Sequence, residues 1–228
     1  MATVWRFSGS GNAHASVSAK SRFPTIKDRY SYRMGTAIPN SDLKAERAIN
    51  YEIGVSEQFW GHTRFEATAF HSDLSDIIQS VTLSPSLTQM RNVGDGHSRG
   101  LELGARSLAL KNTELGAAYT FLDRANTSNG AVKLTDTPRH KLFAYAKYDA
   151  TERVSLTPGA EWASSRYVTT QGRKTDGFVV ANFKAAWQIT DTFGAEAGIN
   201  NLFDRNYELA DGFPEEGRNY FLNARVKF

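Results

Sequence analysis

Side chains able to do covalent or metal chemistry are sparse in this chain, and they do not gather. The five histidines, His14, His62, His71, His97 and His140, share no ligand-like spacing, and none stands beside a serine or aspartate in a catalytic motif. Cysteine is absent, which removes disulfides and thiolate metal sites. Glu215 and Glu216 offer oxygen ligands to a hard cation, but two carboxylates are too few for a cage. In Gly94-Asp95-Gly96-His97 no helix pattern follows, and a phosphate cradle needs a helix N-terminus. A bulge or kink is the expected role. Asn126-Thr127-Ser128 matches a glycosylation sequon and adds little. No enzyme activity, cofactor or metal site is expected.

The charged side chains are spaced for a surface instead. Arg64, Glu66, Glu102, Arg106, Glu114, Glu161, Lys184, Glu196 and Arg225 each sit in a stretch that alternates at a period of two, opposite an apolar face. Their expected role is the charged, hydrated lumen of a barrel; the plainer alternative is a solvated strand face in a soluble β protein. The stretches that position them are strands. Val179, Ala181, Phe183, Ala185 and Trp187 oppose Asn182, Lys184 and Gln188. Leu101, Leu103 and Ala105 oppose Glu102, Gly104 and Arg106. The same alternation runs through 49–56, 64–69, 114–121, 153–162 and 193–203. Two stretches are less regular: 141–148 carries aromatics on both faces, and Pro158 deletes a ladder donor, which predicts a bulge or an edge.

The terminal run Arg218–Phe228 is the clearest. Tyr220, Leu222, Ala224, Val226 and Phe228 share one face, with Asn219, Phe221, Asn223, Arg225 and Lys227 on the other. The two end aromatics are roughly 26 Å apart along a strand. Tilted by about 40°, they span roughly 20 Å of height, close to the apolar band between the aromatic girdles of a membrane barrel.

Composition agrees. The chain has 228 residues, 40% hydrophobic and 12% aromatic, and its mean hydropathy is −0.45. No apolar run reaches the 18 or so residues of a membrane helix, but barrel strands alternate and hide their hydropathy. The net charge of +3 is scattered, which argues against nucleic acid as a partner. Short turns near 8–12, 60–62, 111–113, 150–152 and 190–192 alternate with long segments near 23–47, 83–87, 123–137, 169–176 and 204–216. This is the short-and-long pattern of an outer-membrane barrel. Counting back from Phe228 gives about eleven strands, with no helix. Eleven is odd for a bacterial single-chain barrel, and an open sheet leaves unpaired edges that lipid does not tolerate.

Several local motifs follow one another in order: Phe23-Pro24-Thr25-Ile26-Lys27-Asp28-Arg29-Tyr30-Ser31, Asn40-Ser41-Asp42-Leu43-Lys44-Ala45-Glu46-Arg47, Asn50-Tyr51-Glu52-Ile53-Gly54, Asn92-Val93-Gly94, Gly100-Leu101-Glu102, Pro138-Arg139-His140, and Asn201-Leu202-Phe203-Asp204 with Tyr207 and Gly217-Arg218. This order resembles the C-terminal half of the β-barrel of TonB-dependent outer-membrane receptors, over nearly the whole chain. The resemblance implies an all-β, antiparallel transmembrane wall over residues 1–228, half of a 22-stranded barrel, with the plug domain and first barrel half absent. It also implies the outer membrane of a Gram-negative bacterium, energised uptake of a scarce nutrient such as a ferric siderophore or cobalamin, and no transport by the wall alone.

The implied partners are outer-membrane lipid, the outer-membrane insertion machinery, a plug domain, the TonB energy-coupling protein and a metal-chelate ligand. Tyr220, Leu222, Ala224, Val226 and Phe228 are the expected assembly signal. Tyr30, Tyr32, Arg33, Arg91, Tyr167, Arg173, Tyr207, Phe213, Glu215 and Glu216 are the loop candidates for ligand contact. Asn201–Asp204 and Gly217-Arg218 are expected to be structural, as a turn and a strand re-entry. The alternatives are a passive porin-like channel, a barrel enzyme, for which no catalytic cluster is seen, and a soluble β-sheet binding module.

Overall fold

The computed structural model describes residues 1–210 and 212–227. Among them are eighteen strands: β1 (Ala2–Arg6), β2 (Asn12–Arg22), β3 (Ala37–Ile38), β4 (Glu46–Phe59), β5 (Thr63–Ser75), β6 (Ile78–Ser84), β7 (Leu87–Asn92), β8 (Gly96–Ser107), β9 (Thr113–Asn126), β10 (His140–Asp149), β11 (Val154–Ala163), β12 (Arg166–Tyr167), β13 (Lys174–Thr175), β14 (Phe178–Gln188), β15 (Phe193–Asn200), β16 (Glu208–Ala210), β17 (Phe213–Pro214) and β18 (Asn219–Val226). Eleven of them form one antiparallel sheet in the order β1-β2-β4-β5-β8-β9-β10-β11-β14-β15-β18, the number expected. Every neighbour in this wall is also a neighbour in sequence along it, so each connection is a hairpin. The short connections, 7–11, 60–62, 108–112, 150–153 and 189–192, all lie at one rim. The long ones, 23–45, 76–95, 127–139, 164–177 and 201–218, lie at the other.

Alternation puts one residue in two on each face, and the register aligns these choices across strands. One row runs Trp5, Ala13, Val55, Ala67, Leu103, Tyr119, Leu142, Trp162, Val179, each directly opposite the next. The row beside it is Phe65, Ala105, Ala117, Ala144, Ala160, Ala181. Burial within the chain does not account for this face: Val55, Leu103, Trp162, Val179, Trp187 and Leu222 are all exposed. An exposed apolar belt of this extent is a surface built to meet lipid.

The other face is polar, and its packing is local. Four inward-facing rings lie directly across from glycines: His14 on Gly54, Phe70 on Gly100, Tyr145 on Gly116 and Phe221 on Gly198. A Cβ at Gly116 or Gly198 would run into its ring, so the missing side chain is what lets the aromatic lie flat across the strand. The tightest hairpin between wall strands is made at Trp60 and Gly61. Both have positive φ (54° and 72°), and His62 N–H donates to Phe59 O at 3.2 Å. That is a type I′ turn, whose twist matches the strands.

Two local expectations are corrected. The loop 23–45 contains a one-turn helix, α1 (Ile26–Tyr30), and a 3₁₀ turn at Arg33–Gly35, where no helix was expected. A capping box makes α1: Thr25 Oγ1 accepts from Asp28 N–H at 3.1 Å, and Asp28 Oδ2 accepts from Thr25 N–H at 2.9 Å. Pro158 makes neither a bulge nor an edge. Its ladder to β14 is continuous through Phe183. The ladder to β10 lapses between Tyr145↔Gly159 and Tyr148↔Leu156 without a change of register, because the prolyl nitrogen has no proton to give while β14 holds the strand in place. The Gly94–His97 run is the expected kink. Gly94 has φ +97°, and a Cβ there would meet Ser128.

Two outcomes follow. An arginine at Ala117, on the lipid row, should cost about 2–4 kcal/mol in a bilayer, while one at Thr120, on the polar face, should cost little; urea titration in vesicles of both variants measures the difference. The Thr25 amide, with the Arg22 and Lys27 charges beside it, holds the Asp28 carboxyl below its ordinary value. Its support of α1 is complete above the ordinary aspartate range and is lost as pH falls through the lowered value. Amide protection factors over 26–30 should drop in that window, and Asp28→Asn should already lack this protection at neutral pH.

Candidate functional site

The five long connections form one hydrogen-bonded rim, tied mainly by asparagine side chains and backbone. β3 pairs in parallel with β7, and Asn40 Nδ2 donates to Met90 O at 2.9 Å. Asn92 Oδ1 accepts from Lys44 N–H at 2.9 Å, and its Nδ2 donates to Asp76 O at 2.7 Å. Asn126, 5% exposed, donates to Val93 O at 2.6 Å and accepts from Asn129 N–H at 2.7 Å. Lys133 N–H reaches Thr170 O at 2.9 Å and Asp136 N–H reaches Tyr167 O at 2.8 Å. Arg166 Nη2 makes a longer contact, 3.4 Å, with Glu208 O.

Between 127–139 and 164–175 lies a cleft of about 460 Å³. Five cations line it, Arg124, Lys133, Arg139, Arg166 and Lys174, against one carboxylate, Asp123. Arg166 is 6% exposed and lies 5.6 Å over the Phe178 ring, and its Nε has no hydrogen-bond partner. Lys174 Nζ sits 4.6 Å over the Tyr167 ring. Arg124 Nη1 donates to Thr137 Oγ1 at 3.1 Å. A low-dielectric wall lined by one sign of charge concentrates field on an anion, and a buried guanidinium with a spare N–H gives that anion a fixed donor.

The loop candidates are divided among four connections. Tyr167 lines this cleft. Arg173 and Tyr207 line a neighbouring one of about 520 Å³, with Arg205 and Glu208. The Tyr207 ring also lies tilted against Phe178, centroids 4.4 Å apart, and packs on the buried cluster Ala163, Phe178 and Val180, so much of it is an anchor. Burial, then the charges of Glu215, Glu161 and Glu216, hold its phenol above the usual value. Tyr30, Tyr32 and Arg33 stand apart on 23–45, both tyrosines exposed. Arg91 lies on β7 and donates to Gln89 Oε1 at 2.7 Å. Phe213 is exposed. Glu215 N–H donates to Tyr207 O at 2.9 Å, and Glu216 accepts from Asn219 Nδ2 at 3.0 Å. Among the described residues no three His, Asp or Glu side chains come together as a metal site. Arg124, Lys133, Arg139, Arg166 and Lys174 are not among the loop candidates. Their one sequence signal is cation density in 124–139 and 166–174.

All nine charged wall residues share the face opposite the apolar belt, and most are paired there. Arg64 bonds Glu66 at 2.6 Å, Arg106 bonds Glu114 at 2.6 Å, Lys141 reaches Glu161 at 3.1 Å and Lys184 reaches Glu196 at 3.4 Å. Glu102 and Arg225 have no ion pair among the described residues. Tyr220, Leu222, Ala224 and Val226 lie on the apolar face, opposite Ile199, Ala197, Ala195 and Phe193. Phe228 lies outside the described residues.

The Asn201–Asp204 run closes the base of loop 201–218. Asn201 is 3% exposed with φ +49°. Its Oδ1 accepts from Arg205 N–H at 2.8 Å, and its Nδ2 donates to Arg205 O at 2.8 Å and Glu216 O at 3.2 Å. Asp204 Oδ1 accepts from Arg218 N–H at 2.8 Å. A Cβ at Gly217 would stand 2.8 Å from that oxygen, so glycine lets the carboxylate reach the returning strand.

Residues 2–202 match the family model described as TonB dependent receptor-like, beta-barrel. The chain belongs to this family. It is 24% identical over 214 residues to an iron-regulated outer membrane virulence protein of Vibrio cholerae serotype O1, covering 85% of this chain and 33% of that protein. It is 22% identical over 220 residues to the vitamin B12 transporter BtuB of the same species, covering 94% of this chain and 34% of that protein. This TonB-dependent receptor-like chain thus spans about a third of the length of these curated relatives. Among solved structures, the copper transporter OprC superposes with a TM-score of 0.84 at 22% identity, covering 100% of this chain and 39% of that one. The ferric enterobactin receptor PfeA of Pseudomonas aeruginosa, in its Q482A form with enterobactin, superposes with a TM-score of 0.78 at 18% identity, covering 100% and 40%. These likenesses show the fold, an antiparallel receptor-barrel wall.

Asn201→Ala should leave Arg205 N–H and two carbonyls without their partner, costing about 1–3 kcal/mol locally. Limited proteolysis should then cut 201–218 faster while the belt strands stay protected. Gly217→Ala should do the same by displacing Asp204, and equal cleavage rates in all three proteins would refute the clamp.

Proposed function

We propose that this chain is barrel wall and outer rim of a receptor in the outer membrane of a Gram-negative bacterium, serving energised uptake of a scarce, bulky nutrient such as a ferric siderophore or cobalamin. The observation that carries the reading is the cationic cleft at the loop rim, set on a wall whose outer face is apolar. The lining favours the anionic chelate over the corrinoid, because five cations face one carboxylate. Loops carry recognition on a rigid scaffold, and here they are tied to one another before any ligand arrives. The relatives named above as an iron-regulated outer membrane protein and as a vitamin B12 transporter support the nutrient class.

The wall's roles follow from its faces. The belt meets outer-membrane lipid, and Tyr220, Leu222, Ala224, Val226 and Phe228 present the terminal strand to the outer-membrane insertion machinery. The paired charges of the inner face offer a hydrated lining to a plug domain. Capture at the rim is followed by plug displacement driven through the TonB energy-coupling protein. Wall and loops do not transport by themselves.

Binding of a ferric tris-catecholate to the protein in detergent, followed by tryptophan fluorescence, tests this. The wild type should bind it in preference to cyanocobalamin, and Arg166→Met with Lys174→Gln should weaken binding by about tenfold or more, as expected for losing two charge-assisted donors. Equal binding of both ligands, unchanged in the double variant, would sink the cleft as the site.

A further inference from the structure

The outward face of the wall is apolar along its strands, yet it carries cations in one place. In β4 and β8, Arg47 and Arg99 fall in register with the lipid-facing positions, and Arg139 stands just before β10. All three are at the loop rim, on the arc β4-β5-β8-β9-β10. The outward positions of β11, β14, β15 and β18 hold no lysine or arginine. A charge on a lipid-facing strand is costly at the midplane and tolerated near the interface, so confinement to one rim and one arc marks a local purpose.

The cluster is short of anions. Arg99 contacts Asp123 Oδ2 at 3.0 Å, Arg139 reaches Asp123 Oδ1 at 3.4 Å, and His97 approaches the same carboxylate at 3.8 Å. Two guanidiniums therefore share one acid, and they remain 59% and 61% exposed. The other acid on this patch, Asp73, is engaged by His71 at 3.0 Å. Below lies an aromatic shelf. Arg139 sits 5.4 Å over the Phe121 ring, and Tyr119, His140 and Trp162 stack beside it. Aromatics at the boundary of hydrocarbon and headgroup, with arginines one step above, form an interface layer.

We propose that Arg99 and Arg139 bind the phosphate of a membrane lipid headgroup in the leaflet at the loop rim. The fork of N–H donors on each arginine suits phosphate oxygens. Asp123 holds both forks at the surface. The shelf of Phe121 and Trp162 takes the first part of the acyl region. This site is on the opposite face of the wall from the paired lumen charges, and it shares Arg139 and Asp123 with the lip of the cleft. It rests on the reading of the belt as lipid-facing.

The protein would be placed in phosphatidylcholine nanodiscs containing either phosphatidic acid or the diacylglycerol with the same chains, and retained lipid read by native mass spectrometry. Phosphatidic acid should be enriched by about fivefold for each engaged arginine. Arg99→Gln with Arg139→Gln should abolish the enrichment, Arg225→Gln on the inner face should keep it, and millimolar inorganic phosphate should not displace the lipid. Equal retention of the two lipids, loss in Arg225→Gln, or displacement by free phosphate would overturn the site. Quenching of Trp162 and Trp187 by brominated lipid separates the two layers of inference. Quenching without enrichment rejects the phosphate site alone, and no quenching rejects the lipid-facing belt and the site together.

Discussion

Within hydrocarbon no water is present to pair with a backbone N–H or C=O, so a spanning sheet must satisfy all of them across its own strands. Once that is imposed, little else about this wall is free. Strands must run antiparallel through hairpins, each residue must choose lipid or lumen, and the choice must agree across every ladder. The row from Trp5 to Val179 shows that agreement over nine strands. The lapse at Pro158 shows its tolerance: one missing donor is accepted where the other neighbour, β14, still holds the register.

The same constraint relaxes at the rims, and different physics takes over. At the short rim, turn geometry decides, as at Trp60-Gly61. At the long rim, buried asparagine amides replace the ladder. Asn92, Asn126 and Asn201 each offer donor and acceptor from one side chain, so each can close a loop base against backbone groups that would otherwise stay unpaired. The result is a set of connections fixed to one another, able to hold Arg166 and Lys174 against a common cleft.

What could be read in advance divides along these lines. Period-two alternation is a local property, so eleven strands, their faces and the side of each charged wall residue were legible from spacing alone. The Asn201–Asp204 turn was legible for the same reason, because Asn and Asp bond backbone nearby. The α1 capping box, Thr25 with Asp28, was equally local and was overlooked beneath a long-loop pattern. The cationic cleft was not legible. Arg124, Arg166 and Lys174 meet only because Lys133 and Asp136 bind the backbone of 167–170, and nothing in their own segments encodes that meeting. Tyr207 shows the reverse error: an aromatic on a loop looks like a ligand contact until its packing on Phe178 is seen.

The distribution of charge then separates the jobs of the molecule. On the inner face Arg64, Arg106, Lys141 and Lys184 are each matched by a glutamate at hydrogen-bond or ion-pair distance, so the lining is hydrated but nearly neutral. A neutral lining passes a bulky solute without holding it, and such a wall cannot be the source of affinity. Cations outnumber carboxylates at the loop rim instead, inside the cleft and on the lipid-facing arc around Asp123. Uncompensated charge is costly to keep partly buried unless a partner of opposite sign arrives. Binding therefore belongs to the rim, and the eleven strands serve by holding that rim rigid at the boundary between lipid and water.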